Sequence, residues 1–200
     1  MTSLILATRN VHKTREFAEM LEGKFCLTDL TMHPHIESVQ ENGATFEENA
    51  RIKALSASRQ LPGLVLADDS GLEVDSLGEA PGILSARYAG AAATDETNRR
   101  KLLEELSKLG RDAPRTARLR CALALARDSE VLAVFEGSIS GEIVRQARGS
   151  GGFGYDPLFQ PNEFSETFAE LPGAMKNSIS HRGRAAAKIK SFLRAAKLVE

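Results

Sequence analysis

At 200 residues and 21.7 kDa the chain has room for one domain of ordinary size, or at most two lobes, and can bury roughly 70% of the surface its unfolded form exposes. Its 42% hydrophobic and 26% charged residues exclude a long disordered tail. A net charge of −1 argues against a duplex nucleic-acid binder, which carries a basic excess, while leaving room for a local basic pocket for a small anion. Cys26 and Cys121 stand far apart without a CxxC pairing, which argues against a disulfide framework or a cysteine zinc site. No apolar run approaches the ~20 residues of a membrane span. The stretch Met1 to Thr8 lacks the basic start and long apolar run of a signal peptide, so the expectation is a cytoplasmic chain, mature from its first residue.

In chain order, Leu4-Ile5-Leu6-Ala7 is an apolar run of strand length, and polar Thr8-Arg9-Asn10 follows it. A helix is predicted from about Lys13, with Phe17, Met20 and Leu21 on one face and Gly23 as its stop. Thr45-Phe46-Glu47-Glu48 has the form of a capping box and predicts a helix running toward Gln60. Val65-Leu66-Ala67 reads as a buried strand that ends at Asp68-Asp69-Ser70-Gly71. Thr94-Asp95-Glu96 opens another helix, with Leu102, Leu103, Leu106 and Leu109 as its apolar stripe and Gly110 after it. From Ala117 to Ile143 the pattern alternates: Leu119, Cys121, Leu123 and Leu125, then Val131, Ala133 and Phe135 after Asp128-Ser129, as in a hairpin. Helical spacing returns over Ala185 to Val199, with Ala185, Ile189, Phe192, Leu193 and Ala196. Strands alternating with helices, plus one antiparallel stretch, predict a mixed α/β sheet covered by helices.

Four segments can carry chemistry. Thr8-Arg9-Asn10-Val11-His12-Lys13 leaves a strand and opens a helix, offering free N–H groups and the positive end of a helix dipole to a phosphate. The plain alternative is an ordinary turn with a solvated lysine, since no GxxxxGK[ST] loop is present. Asp68-Asp69-Ser70-Gly71 sets two carboxylates after a strand, where open α/β folds bind ligands, and magnesium takes one or two carboxylates plus substrate phosphates. A tight acidic turn reads equally well there. Glu41, Glu47 and Glu48 are further acids that can reach the same centre, and spacing does not choose among them. Lys53 shares a helix face with Phe46, Ala50, Ala54 and Ala57, where a charge either snorkels to solvent or turns into an anion site.

Gly149 to Pro157 matches GxGxxG by letter, but Pro157 falls where a dinucleotide-binding helix would have to be established, so a Rossmann site is rejected. What remains is a glycine-rich loop offering Phe153, Gly154, Tyr155 and Asp156, with aromatics either stacked on a base or packed in the core. In Lys176-Asn177-Ser178-Ile179-Ser180-His181-Arg182, Ser180 is a candidate N-cap. His181 and Arg182 then lie at the positive end of a helix, which suggests an anionic or oxygen-rich partner unless they are merely surface charges. His33-Pro34-His35 reads as a loop more readily than as a metal site.

Taken together and in this order, the motifs resemble the inosine triphosphate pyrophosphatase family, the bacterial dITP/XTP pyrophosphatases in particular. The matching residues are Thr8, Asn10 and Lys13; Phe46-Glu47-Glu48-Asn49-Ala50 with Lys53-Ala54; Ala67 to Leu72; Pro81-Gly82 with Ser85 to Tyr88; Gly151 to Pro157; and Ser180 to Gly183. The likeness runs from about residue 4 to residue 196, nearly the whole chain. It implies a single domain over residues 1–200, an elongated mixed β-sheet flanked by helices, with two lobes and a central cleft. It also implies a homodimer and hydrolysis of ITP, dITP and XTP to monophosphate and pyrophosphate with Mg²⁺, as part of cleansing the nucleotide pool. By position, Thr8, Arg9, Asn10, Val11, His12 and Lys13 would cradle the triphosphate, and Glu41 and Asp69 would hold the metal. Asp69 would accept the proton of the attacking water, with Asp68 and Lys53 in support and Ser70 on the substrate. Phe153, Gly154, Tyr155 and Asp156 would line the nucleoside pocket, and Lys176, His181 and Arg182 would close over the base and its O6.

One position departs from the family, which often has glycine where Arg9 stands. Either the site needs a positive φ and arginine is strained by about 1–2 kcal/mol, or Arg9 points at the phosphates or into solvent. The rival readings are a catalytically silent nucleotide sensor, a phosphomonoesterase or Maf-like pyrophosphatase, and a protein-interaction module. Glu41, Asp69, Lys13 and Lys53 speak against the sensor, and the product released, pyrophosphate or orthophosphate, separates the hydrolases.

Overall fold

A computed structural model describes residues 2–23 and 25–196. Its elements run β1 (Thr2–Leu6), α1 (Val11–Met20), β2 (Phe25–Asp29), α2 (Phe46–Ser58), β3 (Leu64–Val74), α3 (Asp95–Lys108), β4 (Thr116–Arg127), β5 (Glu130–Ile143), β6 (Phe159–Pro161), α4 (Gly173–Ile179) and α5 (His181–Ala195). The strands form one sheet in the order β2-β1-β3-β4-β5-β6. β1 pairs in parallel with β2 and β3, and β5 pairs antiparallel with β6, so the expected mixed α/β sheet is present. Parallel neighbours need crossover connections, which α1 and α2 supply. Among the described residues no helix is long and apolar enough to cross a membrane.

The chain divides into two compact units, and β3, β4 and β5 contribute residues to both. The first unit holds the chain through Asp69, Cys121–Gly137, and the residues from Arg182 on. Its core joins Leu4 and Leu6 of β1, Leu64 and Leu66 of β3, and Cys121, Leu123 and Leu125 of β4 to Phe17 and Met20 of α1 and Ala185, Ile189 and Leu193 of α5. Val65 and Ala67, one residue out of phase, are buried as well, so β3 is apolar on both faces, as a covered parallel strand requires. Each fully buried leucine stabilises the fold by roughly 1.5–3 kcal/mol. The second unit, Ser70–Arg120 with Ser138–His181, packs Leu72, Val74, Leu102, Leu106, Leu119 and Ile139 around Tyr155, Leu158, Phe159 and Phe168.

Several boundaries differ from the sequence reading. Strand β3 does not end at Asp68 but continues through Asp69-Ser70-Gly71 to Val74, because ion pairs neutralise both acids within the strand. The Thr45 hydroxyl accepts from the Glu48 N–H at 3.1 Å, yet the Glu48 carboxylate reaches the Ala44 N–H at 2.6 Å rather than that of Thr45. Leu109 closes α3 as its C-cap and is exposed, so it lies outside the apolar stripe. Ala196 is exposed past the end of α5, and the predicted extension to Val199 lies outside the described residues. The short strands β2 and β6 and the seven-residue α4 had no periodicity to announce them.

The hairpin between β4 and β5 turns on Asp128 and Ser129, whose φ values are 52° and 69°. Two positive φ values suit the tight turn whose twist matches paired strands, yet neither residue is glycine. Ser129→Gly should therefore raise stability by about 0.5–1 kcal/mol, roughly 2 °C in Tm. A thermal melt that shows no gain would mean that the serine is unstrained.

Candidate active site

Adjacent residues of a strand project from opposite faces, and β3 places Asp68 and Asp69 at adjacent positions. Each meets a different set of cations. Asp68 shares the face of Leu64 and Leu66. There its Oδ1 pairs with Lys13 of α1, and its Oδ2 accepts from Arg182 Nε of α5 at 3.0 Å. Cys121 Sγ of β4 lies 3.3 Å from the same Oδ2. Burial and the neighbouring carboxylate push the Cys121 thiol well above its ordinary value, so it stands there as an S–H donor. Burial alone would also raise the Asp68 carboxyl, but Lys13 and Arg182 outweigh it and hold Asp68 well below the usual carboxylate range. Arg182 reaches further to Glu16 of α1 at 3.2 Å. Asp68 is thus a fixed anion that orients two cations.

Asp69 faces the other way, toward α2. Its Oδ1 accepts from Lys53 Nζ at 2.6 Å, and the same ammonium lies 3.3 Å from Glu41 Oε2. Lys53 therefore neither snorkels nor stands idle; it turns inward and bridges two carboxylates. Burial opposes its charge, and Asp69 and Glu41 more than restore it. Burial raises the Asp69 carboxyl, Lys53 holds part of the rise back and Glu41 adds to it, leaving Asp69 at about 6. Among the described residues, none donates a hydrogen bond to the buried Asp69 Oδ2. A buried carboxylate oxygen without a donor is expensive.

That oxygen, with Glu41 beside it, suits a hard divalent cation. Among the described residues no group of three or more His, Cys, Asp or Glu side chains forms a cage. Two carboxylates leave most positions to phosphate oxygens and water, the arrangement magnesium favours. Glu41 stands on a segment anchored on both sides. Arg9 donates to Ile36 O and, at 3.5 Å, to Ser38 Oγ; Asn49 Oδ1 accepts from the Gly43 N–H at 2.8 Å. Arg9 thus takes a course that its sequence left open: its backbone has no positive φ, and its guanidinium tethers the segment that carries Glu41. The spacing of Glu41, Glu47 and Glu48 could not choose among them. The fold chooses Glu41 for Lys53 and gives Glu48 to the Ala44 N–H.

The loop after β1 opens α1 as predicted. Asn10 is its N-cap, and Asn10 Oδ1 accepts from the N–H groups of His12 at 3.0 Å and Lys13 at 3.3 Å; Thr8 Oγ1 accepts from that of Asn10 at 3.1 Å. Val11 and His12 are exposed on the first turn.

The remaining predicted residues, apart from Arg182, lie in the second unit. Asp156 accepts from the Phe153 N–H at 2.9 Å and pairs with Lys176 of α4. Lys176 is only 4% exposed, and its ammonium sits 5.2 Å from the centre of the Phe153 ring. A Cβ on Gly152 would lie 2.0 Å from Asp156 Oδ2, so this position has no room for a side chain. Tyr155 belongs to the core, and its hydroxyl donates to Ser85 O at 2.9 Å; the packed alternative holds for its ring. Ser70 and Phe153 are half-buried, and His181 is buried at the start of α5. Sequence reasoning missed Glu16, one helical turn from Lys13, and Asp95 and Arg99, which hold Gly154.

The Ham1 family model matches residues 4–192. The chain belongs to the Ham1 family. Among its relatives, the dITP/XTP pyrophosphatase of Geobacter sulfurreducens is 49% identical over 195 residues, covering 96% of this chain and 97% of that one. That of Bacillus cereus is 48% identical over 193 residues, covering 94% and 93%. A HAM1 protein structure from Coxiella burnetii superposes with a TM-score of 0.87 at 40% identity over 98% of this chain and all of that one. The family membership accords with the resemblance in the motifs.

The position of Asp69 has a measurable consequence. A carboxyl that titrates near 3.8 when unfolded and near 6 when folded opposes folding once ionised. The penalty is absent below the lower value and complete above the higher, at about 3 kcal/mol. In EDTA-treated protein, the stability of Asp69→Asn relative to wild type should therefore rise by about 2 kcal/mol between pH 4.5 and 7.5. Urea titrations at the two pH values check this, and a pH-independent difference would return Asp69 to its ordinary value.

Proposed function

We propose that this Ham1-family protein hydrolyses deaminated purine nucleoside triphosphates, ITP, dITP and XTP, to the monophosphate and pyrophosphate, and so clears them from the nucleotide pool. It works as a single catalytic domain over residues 1–200, as a homodimer in the cytoplasm, without nucleic acid or membrane as a partner. The observation that carries the reading is the buried Asp69 Oδ2, free of hydrogen bonds beside Glu41 and Lys53.

A nucleoside triphosphate brings about four negative charges, which cations must offset as the phosphoryl group is transferred. Lys13, on the first turn of α1, and the loop Thr8 to Asn10 face the triphosphate, with the N-terminal turn adding its dipole. Glu41 and Asp69 would hold Mg²⁺, which when bound would supply positive charge to the phosphate oxygens and lower the pKa of water. Asp69 accepts the proton of the water that attacks the α-phosphorus: a water O–P bond forms, the bond to the α–β bridging oxygen breaks, and pyrophosphate leaves. A base near 6 is ionised at neutral pH and still basic enough to help. Lys53 holds Asp69 Oδ1, which leaves Oδ2 for this work, and Asp68 supports from the opposite face by orienting Lys13. Ser70 contacts substrate.

Selection rests on the base. Hypoxanthine and xanthine present an acceptor at position 6 where adenine presents a donor, and mismatched donors can discriminate by about 10⁴ or more. Phe153, Gly154, Tyr155 and Asp156 form the nucleoside site, Tyr155 by buttressing the loop from the core. Lys176 and His181 serve O6, and Arg182 keeps that assignment with its guanidinium oriented by Asp68 and Glu16.

The test is pyrophosphate release from ITP, XTP, ATP and GTP in parallel, with Mg²⁺ and with EDTA. Metal-dependent pyrophosphate from ITP and XTP, with little from ATP or GTP, is expected; orthophosphate, or no turnover, overturns the reading. Asp69→Asn should lower kcat at least 10²-fold, and Mg²⁺ should raise the Tm of wild type but not of this variant. Lys13→Ala should raise KM for ITP tenfold or more, with Arg182 still neutralising Asp68; an unchanged KM would place the phosphates elsewhere.

A further inference from the structure

The loop that carries Phe153 is held from outside by α3. The Gly154 N–H donates to Asp95 Oδ2 at 2.6 Å, and Gly154 O accepts from Arg99 Nη1 at 2.7 Å. Asp95 and Arg99 are one helical turn apart on α3, so both project from the same face. Between them they take both main-chain groups of one residue. Gly154 has φ +61°, a conformation that costs other L residues about 1–2 kcal/mol. The Phe153 N–H is bonded on its other side, to Asp156 Oδ2. The peptide groups before and after Phe153 are therefore both fixed, one by Asp156 and one by Asp95, which fixes the direction in which its ring leaves the backbone.

From this geometry we infer that Asp95 and Arg99 are positioning residues for the nucleobase: they touch no substrate, and they set the Phe153 ring in place by clamping Gly154. The inference rests on the assignment of the Phe153 loop to the base. Helix α3 is well suited to the task. Its N-terminus is capped by Thr94, its Leu102 and Leu106 are buried in the second unit's core, and its Asn98 holds Ala86 O and the Ala89 N–H. A clamp on such a helix transmits rigidity to a loop that has no regular structure of its own. Binding energy at the base is then gained without ordering the loop at the moment of binding.

The experiment measures ITP binding by equilibrium dialysis in EDTA, ITP turnover with Mg²⁺, and inhibition by inorganic tripolyphosphate, which has no base. Asp95→Ala and Arg99→Met should each weaken ITP binding and raise KM five- to twentyfold, with kcat within twofold and tripolyphosphate inhibition at the wild-type level. Asp95→Asn, which keeps an acceptor oxygen, should restore near-wild-type KM. Amide hydrogen exchange at Gly154 should accelerate at least tenfold in Asp95→Ala, which reports the broken clamp without reference to activity. Faster exchange with unchanged ITP affinity overturns the inference, as does a parallel loss of tripolyphosphate inhibition. Wild-type protein that binds ITP without releasing pyrophosphate instead overturns the reaction, while the ratio of variant to wild-type affinity still decides the clamp.

Discussion

Two ionised carboxylates cannot sit side by side in a buried strand unless something separates and neutralises them. β3 separates Asp68 and Asp69 by the alternation of its own backbone, and the helices on either face supply the counter-charges. Lys13 on α1 and Arg182 on α5 answer Asp68; Lys53 on α2 answers Asp69. Much of the first unit follows from this. α1, α2 and α5 must each bring a long basic side chain to one place on the sheet, and the small residues Ala50, Ala54 and Ala185 are buried where those helices pack. Removing one member of such a buried pair leaves an uncompensated charge and costs about 3–5 kcal/mol.

The two acids are not equivalent. Asp68 has every reason to stay ionised and none to move, since two cations and a thiol use its oxygens. Asp69 has one oxygen engaged and one without a donor, and burial keeps its affinity for a proton close to neutral pH. Structure and chemistry thus divide between neighbours in sequence: one carboxylate holds cations in place, the other remains available to react. An exposed acidic turn, which the same letters could have formed, would have left both equally solvated.

The strand–helix alternation, the hairpin and the order of the motifs were legible in the sequence because they rest on local periodicity and turn chemistry. The course of β3 was not. Asp-Asp-Ser-Gly is the composition of a turn, and only cations from distant α1, α2 and α5 make it a strand. For the same reason Glu41 could not be told from Glu47 or Glu48, because the choice depends on how Arg9 and Asn49 hold the intervening chain. Asp95 and Arg99 were hidden by ordinariness: an acid in the first turn of a helix and a half-buried arginine four residues on are common. Their partner is a main-chain group some fifty-five residues away. The unexpected charge of Lys53 on a small-residue face was a site feature that the pattern of a single helix disclosed.

Cys121 brings a last consequence. Its thiol is buried against Asp68, while Cys26 is exposed. A thiol held protonated and out of solvent is inert toward alkylating reagents until the structure around it opens. The chain thus carries its own clock for the opening of the Asp68 cluster. The slow labelling of Cys121 would time that event, and the prompt labelling of Cys26 would calibrate the reagent in the same tube.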